Sequence, residues 1–186
     1  MASDPNPQKL TYADYLLIPE DGKRHEIIDG EHFVAPAPTL RHQRVVFELG
    51  RRLGNFVVRR KLGQVYSSPV DVLLSRTDVL QPDVLYISRE RLGIATENNL
   101  NGPPDLVVEV LSDSTRRRDE VLKLHRYSEL GVPEYWILDP VRRIAKLYRQ
   151  GENGLRLVAE LSAEAGDVLT TPLLSGLKIP LRTLFE

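Results

Sequence analysis

Two short apolar runs constrain the fold of this chain more than any other feature. Leu106 to Leu111 is apolar except at Glu109, and Tyr135 to Leu138 contains no charged residue. A strand with one solvated face alternates apolar and polar residues, whereas continuous apolar runs are typical of strands covered on both faces. The sequence therefore predicts a central sheet with layers packed on both sides.

Helices are predicted on either side of these strands in the sequence. Residues 40–61 form the longest periodic stretch, which ends before Gly63. Its apolar stripe consists of Val45, Leu49, Leu53 and Phe56. A second helix is predicted from Ser114 or Thr115 to about Leu130, with Gly131 at the C-terminal cap position.

Short extended segments complete the predicted architecture. A capped helix over residues 11–17 precedes a hairpin at Asp29-Gly30, and further strands are predicted over 65–67, 70–74 and 84–87. A second hairpin is predicted over 143–161, and the tail from residue 171 is expected to cross the core as a strand and short turn. The predicted class is α/β, bordering on α+β, with a mixed central sheet. We expect a loose segment over residues 1–9 and one domain over 10–186.

Composition excludes several classes of protein. The 186 residues include no Cys, which excludes disulfides, thiolate metal sites and Cys nucleophiles. With 25 basic and 26 acidic residues, the formal net charge is −1, so a nucleic-acid partner needs a local basic surface. No apolar stretch approaches the length of a membrane span, and the N-terminus has no secretory pattern. We therefore expect a cytoplasmic protein with no membrane contact.

Two acids break the rule that strands buried on both faces carry no carboxylates. Asp83 opens the strand at residues 84–87, and Glu109 interrupts the apolar run. Asp83 is equally well explained as a turn residue after Pro82, and Glu109 alternatively as a solvent-facing residue of an edge strand. If the two carboxylates converge, they form a hard-oxygen site suited to Mg²⁺ or Mn²⁺.

The second predicted helix carries a polar stripe. Asp119, Lys123 and Tyr127 are spaced by four residues and share one helical face. This face is a candidate inner face, packed toward the sheet and the two acids. The alternative is an exposed Asp–Lys pair, which contributes only a few tenths of a kcal/mol.

Five segments of the chain resemble a restriction endonuclease family of the PD-(D/E)XK nuclease superfamily. They read QPD (81–83), PDLVVEVLSDST (104–115), GVPEYWILDP (131–140), HEIIDGEHFV (25–34) and RHQ (41–43). The resemblance covers nearly the whole chain from about residue 10. It implies a restriction-endonuclease-like core of helix, three strands, helix and strand, with a metal-dependent phosphodiesterase site.

The resemblance also implies roles for individual residues. Asp83 resembles the motif Asp and Glu109 the motif acid, and both would hold the ion together with the backbone carbonyl of Val110. At the position two residues after Glu109, where the superfamily pattern has Lys, this chain has Leu111. Lys123 on the next helix is the candidate to supply that charge. Glu26, Asp119, Tyr127 and His42 are possible additional site residues.

Two of these additional candidates, Glu26 and His42, also have purely structural explanations. Glu26 is slightly better explained as a strand-surface residue. His42 is better explained as a surface or capping residue than as a proton shuttle or phosphate contact.

Basic residues could supply the local surface that the net charge hides. The candidates for nucleic-acid binding are Arg116, Arg117 and Arg118 at the start of the second helix, and Arg44, Arg51 and Arg52 on the first. The alternative is a solvated helix face, which is favoured for the first helix.

The sequence as a whole predicts a homodimeric endonuclease that depends on Mg²⁺ or Mn²⁺ and cleaves DNA in preference to RNA. NTPase, dinucleotide-binding, zincin and serine-hydrolase motifs are absent from the sequence. The alternative is a nucleic-acid-binding or regulatory module that keeps the fold with weak or no turnover.

Overall fold

The structure is a computed structural model that describes residues 9–186. The predicted loose segment therefore lies, up to residue 8, outside the described residues. Lys9 forms an ion pair with Asp29 at 2.5 Å, and the N–H of Leu10 donates to the carbonyl of Gly30 at 2.9 Å. The chain is thus attached to the first hairpin from the start of the described part.

Four α-helices and thirteen strands are formed by residues 9–186. The helices are α1 (Tyr12–Tyr15), α2 (Leu40–Arg60), α3 (Leu124–Glu129) and α4 (Leu181–Leu184). The first seven strands are β1 (Arg24–Ile28), β2 (Glu31–Ala35), β3 (Gly63–Ser67), β4 (Asp71–Ser75), β5 (Asp78–Leu80), β6 (Val84–Ser88) and β7 (Asn99–Asn101). The others are β8 (Leu106–Val110), β9 (Glu134–Asp139), β10 (Ile144–Gly151), β11 (Gly154–Ser162), β12 (Val168–Leu169) and β13 (Ile179–Pro180).

The strands form two main sheets and one small one. The larger sheet has the order β11-β10-β9-β8-β6-β3, with β8 and β9 parallel and β6 and β8 antiparallel. The second sheet has the order β2-β1-β5-β4-β7, and β12 pairs with β13. The two apolar runs of the sequence form β8 and β9 at the centre of the larger sheet. Every residue of these two strands is buried.

Both faces of the larger sheet are covered, as the apolar runs predict. On one face, α2 and the C-terminal tail pack against alternate residues such as Val108 and Trp136. On the other face, Tyr127 of α3 and residues of β1 and β5 pack against Val107 and Ile137. Residues of β4 and β7 extend this second layer over β6. Side chains on β8 therefore point alternately toward α2 and toward the second sheet.

The predicted fold class, a mixed sheet flanked by helices, is confirmed, with differences in detail. The strands divide between two main sheets and a small third one, and the three-residue strands β5 and β7 have no counterpart in the prediction. The first hairpin is confirmed, with positive φ at both Asp29 and Gly30. On α2 the buried stripe continues to Val57, while Phe56 is only partly buried. Lys61, in the left-handed conformation, ends α2 two residues before Gly63.

The second predicted helix contains an irregular turn. Helical residues begin at 116, a π-helical segment spans Arg118–Lys123, and α3 follows directly. Such π-turns re-aim side chains and frequently occur at functional sites. The predicted C-terminal cap is confirmed, since Gly131 has a φ of 77°. Of the helices within residues 9–186, none is both long enough and apolar enough to cross a bilayer.

Candidate active site

Asp83 and Glu109 lie opposite each other at the start of β6 and near the end of β8 in the larger sheet. The antiparallel register pairs Val84 with Val108, so its continuation by one residue places Asp83 opposite Glu109. Directly opposed residues of antiparallel strands point to the same face. The N–H of Val110 donates to Asp83 Oδ2 at 2.8 Å, which joins the start of β6 to the end of β8. The two acids are 3% and 2% exposed.

Three donors hold the carboxylate of Asp83. Arg24 Nη1 donates to Oδ1 at 3.0 Å, and His42 Nε2 lies 3.1 Å from Oδ2. Burial raises the pKa of Asp83, but the hydrogen bond and charge of His42, the charge of Arg24 and the Val110 N–H outweigh it and lower the net pKa. Asp83 is therefore an ionised carboxylate with a fixed orientation.

Glu109 has a different environment from Asp83. Its Oε1 accepts hydrogen bonds from Lys123 Nζ at 2.8 Å and from the Tyr127 hydroxyl at 2.9 Å. Burial, together with the charges of Asp119, Asp83 and Glu26, outweighs Lys123 and raises the pKa of Glu109 to about 8. The two opposed carboxylates therefore differ strongly in proton affinity.

Lys123 lies at the convergence of three carboxylates. Its Nζ is 2.8 Å from Glu109 Oε1, 2.8 Å from Glu26 Oε1 and 3.7 Å from Asp119 Oδ1. Burial lowers the pKa of Lys123, but the three negative charges raise it above its ordinary value. Lys123 is thus a buried ammonium at neutral pH. The predicted stripe of Asp119, Lys123 and Tyr127 faces inward, with all three side chains buried.

The position of Glu26 corrects the sequence prediction, which favoured a surface position on the first hairpin. The side chain is 1% exposed, and its Oε1 also accepts the N–H of Gln81 at 2.9 Å. Burial raises the pKa of Glu26, but Lys123 and Arg118 outweigh it, and the net pKa is lowered. The face of β1 that carries Glu26 is turned toward Lys123 and Arg118, so this acid joins the cluster.

His42 is a second correction. The sequence favoured a surface or capping histidine, but the side chain is buried against Asp83, and its Nδ1 has no hydrogen-bond partner among residues 9–186. The backbone N–H of His42 donates to the cap residue Thr39. The first turn of α2 therefore packs its histidine onto the start of β6.

Arg24 is a site residue that the sequence analysis missed. It lies two residues before Glu26 on β1, so both side chains point to the same face of the strand. Arg24 also donates to the carbonyl of Gln81. The available signal was an arginine two residues before Glu26, on the same face of the predicted hairpin strand.

The predicted basic residues are distributed over different surroundings. Arg118 Nε lies 3.8 Å from Glu26, and its guanidinium lies over the ring of Phe33. Arg116 forms an ion pair with Asp139 at 2.7 Å, while Arg117 is exposed. The candidates on α2 are Arg44, which is exposed, and Arg51 and Arg52, which both pair with Glu48. Of these six candidates, Arg118 is the one that adjoins the carboxylate cluster.

The chemistry of the cluster fits a divalent cation. Four carboxylates, Glu26, Asp83, Glu109 and Asp119, are buried near one another, and carboxylate oxygens are preferred ligands of Mg²⁺ and Mn²⁺. Asp119 Oδ1 is buried with no hydrogen bond from the described residues. Burial raises the pKa of Asp119, as it does that of Glu109. The cations of the cluster therefore do not fully offset four ionised carboxylates, and Glu109 holds a proton at neutral pH.

The described residues do not converge as a ready-made metal cage. No group of three or more His, Asp or Glu side chains within residues 9–186 is arranged to hold a metal ion. Lys123 Nζ lies at the point where Glu26, Glu109 and Asp119 come together. Asp83 lies outside this three-way convergence and is opposed to one of its members, Glu109, across β6 and β8.

Comparison with known proteins identifies the family of this chain. A family model described as "Uma2: Putative restriction endonuclease" matches residues 12–182. The chain belongs to the Uma2 family. The crystal structure of a putative nuclease of the DUF820 group from Anabaena variabilis matches it with a TM-score of 0.79 and 18% sequence identity. That match covers 95% of this chain and 97% of the other, and no curated protein matches.

The departure of this Uma2 chain from the superfamily motif has a structural basis. Leu111, at the position expected for Lys, is 3% exposed and packs with Val107 and Ile137 between the sheets. The π-helical segment instead brings Lys123 to 2.8 Å from Glu109. A cation thus stands beside Glu109 from the following helix.

The raised pKa of Glu109 predicts a pH-dependent stability. Between its ordinary value of 4.5 and about 8, the folded state binds a proton at Glu109 that the unfolded state releases, so the free energy of unfolding falls as pH rises through this range. The lowered pKa values of Asp83 and Glu26 act only at lower pH. Urea denaturation in EDTA should show this decline, and Glu109→Gln should make it shallower, with the raised pKa of Asp119 contributing the remainder. An equally steep decline in the variant would contradict the assignment.

Proposed function

We propose that this chain is a metal-dependent endonuclease that hydrolyses phosphodiester bonds of nucleic acid, DNA in preference to RNA. The family match and the fold support nuclease activity in general. The observation that carries the proposal is the buried pair of carboxylates, Asp83 and Glu109, with Lys123 fixed at 2.8 Å from Glu109. Burying an ionisable cluster of this kind costs free energy, and such clusters are concentrated at functional sites.

In this proposal Asp83, Glu109 and the backbone carbonyl of Val110 hold Mg²⁺ or Mn²⁺. When bound, such an ion supplies an activated water and stabilises charge on the phosphate. Arg24 and the Val110 N–H fix the orientation of Asp83, and His42 donates to its second oxygen. The Tyr127 hydroxyl fixes Glu109 in the same way, at 2.9 Å.

Lys123 acts in this proposal as a fixed positive charge. Its three carboxylate neighbours keep the ammonium protonated, so it cannot accept a proton from water as a general base. It can orient the attacking water by donating a hydrogen bond, or stabilise the negative charge that develops on the phosphate. Asp119 and Glu26 hold Lys123 in place for either role.

The finer assignments belong to the same proposal. We assign Arg117 and Arg118, at the start of the second helical region, to contacts with the phosphate backbone beside the cluster. We also propose that the protein acts in the cytoplasm, with which the lack of Cys is compatible, and that it forms a homodimer. Sedimentation of the purified protein tests the oligomeric state.

A second candidate function is a binding or regulatory module without turnover. Two observations favour it: Leu111 replaces the motif Lys, and Lys123 already satisfies part of the carboxylate cluster. Such a module would bind nucleic acid or a metal ion and leave the phosphodiester bonds intact.

Incubation of the purified protein with supercoiled plasmid and with single-stranded DNA and RNA distinguishes these functions. We expect nicking or linearisation of the plasmid in Mg²⁺ or Mn²⁺, slower cleavage of RNA, and no product in EDTA. Glu109→Gln, processed in parallel, controls for contaminating nucleases. Metal-independent cleavage, or equal cleavage by the variant, would overturn the nuclease assignment, whereas a rise in Tm with Mn²⁺ and no cleavage would support the binding module.

A further inference from the structure

A basic groove lies on α2 away from the carboxylate cluster. It has a volume of about 430 Å³ and runs between α2 and the tail segment at residues 176–179. Its lining includes five cationic side chains and one aromatic ring, and no Asp or Glu: Arg51, Arg52, Arg59, Arg60, Lys178 and Phe56. We call it the α2–tail groove. In a chain of formal net charge −1, this concentration of positive charge is local.

Most of this positive charge is not neutralised by the protein. Arg51 and Arg52 share Glu48 as their carboxylate partner. No carboxylate of the described residues lies within ion-pair distance of Arg59, Arg60 or Lys178. Concave surfaces lined by one sign of charge concentrate ligands of the opposite sign. The groove therefore favours an anionic ligand.

Two features of the groove are already ordered for such a ligand. Arg52 is fixed on the tail by hydrogen bonds to the hydroxyl of Thr183 at 2.8 Å and to its carbonyl at 3.1 Å. The guanidinium of Arg60 lies over the ring of Phe56, 3.9 Å from its centroid. Arginine and aromatic planes are the surfaces on which unpaired bases stack. Phosphate-binding cations beside a stacking platform are typical of single-stranded nucleic-acid sites.

The groove is separate from the candidate active site. Leu177 and Ile179 pack with Val108 and Val110 on the α2 face of the larger sheet, whereas Glu109 points to the opposite face. His42, which touches Asp83, precedes Arg51 by nine residues on α2, about 14 Å at 1.5 Å per residue. A ligand in the groove therefore does not touch the carboxylate cluster.

We propose that the α2–tail groove binds a short single-stranded segment of nucleic acid, with phosphates on Arg59 and Lys178 and a base stacked at Phe56 and Arg60. The choice of nucleic acid over another polyanion rests on the proposed function. Arg51 to Arg60 spans about 14 Å of helix, which limits the segment to a few nucleotides. The segment bound in the groove would either flank the bond that is cleaved or belong to a separate strand.

Fluorescence anisotropy with a labelled single-stranded oligothymidine tests this site in EDTA, where the proposed metal-dependent cleavage plays no part. Arg59→Glu/Lys178→Glu should weaken binding by at least about tenfold and reduce the slope of log affinity against log salt by about 1.4, about 0.7 for each lost phosphate contact. Phe56→Ala should weaken it about tenfold or more. The matched control is Arg76→Glu/Arg156→Glu, which makes the same charge change at two other exposed positions.

Binding that is unchanged in the groove variant, or weakened equally in the control, would overturn the proposal. So would displacement of the oligonucleotide by polyglutamate as effectively as by unlabelled oligothymidine, because the groove would then bind acidic chains in general. Arg59→Gln/Lys178→Gln provides a milder pair with the same expected direction. If the protein binds the oligonucleotide in the groove but has no nuclease activity, only the proposed function is refuted. If it cleaves nucleic acid but does not bind in the groove, only this inference is refuted.

Discussion

Lys123→Met is expected to lower the free energy of unfolding by about 3–5 kcal/mol at neutral pH. The ammonium of Lys123 is 2% exposed and lies within 4 Å of Glu26, Glu109 and Asp119. Methionine keeps most of the side-chain volume but leaves three buried carboxylates without this cation. Protonation of the acids offsets part of the loss, so the destabilisation should be greater at pH 8 than at pH 5.

Urea denaturation of wild type, Lys123→Met, Glu109→Gln and the double variant measures this effect as a thermodynamic cycle. The double variant should be more stable than Lys123→Met alone, because Glu109→Gln removes one of the stranded charges. Mg²⁺ should also restore part of the stability of Lys123→Met, since it can replace the lost positive charge. A Lys123→Met protein within about 1 kcal/mol of wild type would show that the cluster does not depend on this cation.

Asp83→Asn and Glu109→Gln should each reduce the rate of DNA cleavage at least about a thousandfold while the fold is retained. Both changes keep the shape of the side chain and remove a charged ligand from the proposed metal site. A loss of about 4 kcal/mol in transition-state stabilisation corresponds to a factor of that size. Plasmid cleavage under single-turnover conditions gives the rates, and circular dichroism checks the fold.

Glu134→Gln is a matched control for the loss of a buried carboxylate. Glu134 is 1% exposed and accepts hydrogen bonds from Trp136 and Thr171. Trp136 packs on the α2 face of the larger sheet, the face opposite to Glu109. The variant should lose stability and keep the cleavage rate per folded molecule. Cleavage rates in Asp83→Asn or Glu109→Gln that match this control would remove those residues from the site.

The fold was predictable where burial leaves a strong pattern in the sequence. The continuous apolar runs identified β8 and β9, and the helical periodicity identified α2 to within a residue or two. The strands β5 and β7 were not predictable, because three residues carry too little periodicity and their pairing depends on distant segments. The division of the strands into two sheets likewise depends on tertiary packing.

The candidate site was predictable in part for the same reason. Glu109 stood out because it interrupts an apolar run, and the spacing of four residues placed Lys123 and Tyr127 on one inward face. Glu26 and His42 did not stand out, since a hairpin strand and a helix N-terminus are normally exposed. Only the packing of the second sheet and of the first turn of α2 buries them. The π-turn that positions Lys123 leaves no signal in residue spacing.

Titration calorimetry with Mn²⁺ tests most directly whether the opposed carboxylates of β6 and β8 form a divalent-cation site. Wild-type protein should bind Mn²⁺ at one site per chain, with release of protons near neutral pH because Glu109 must ionise. The Asp83→Asn/Glu109→Gln protein should show no heat of binding at the same concentrations. Absence of binding by wild type, or equal binding by the double variant, would contradict the account.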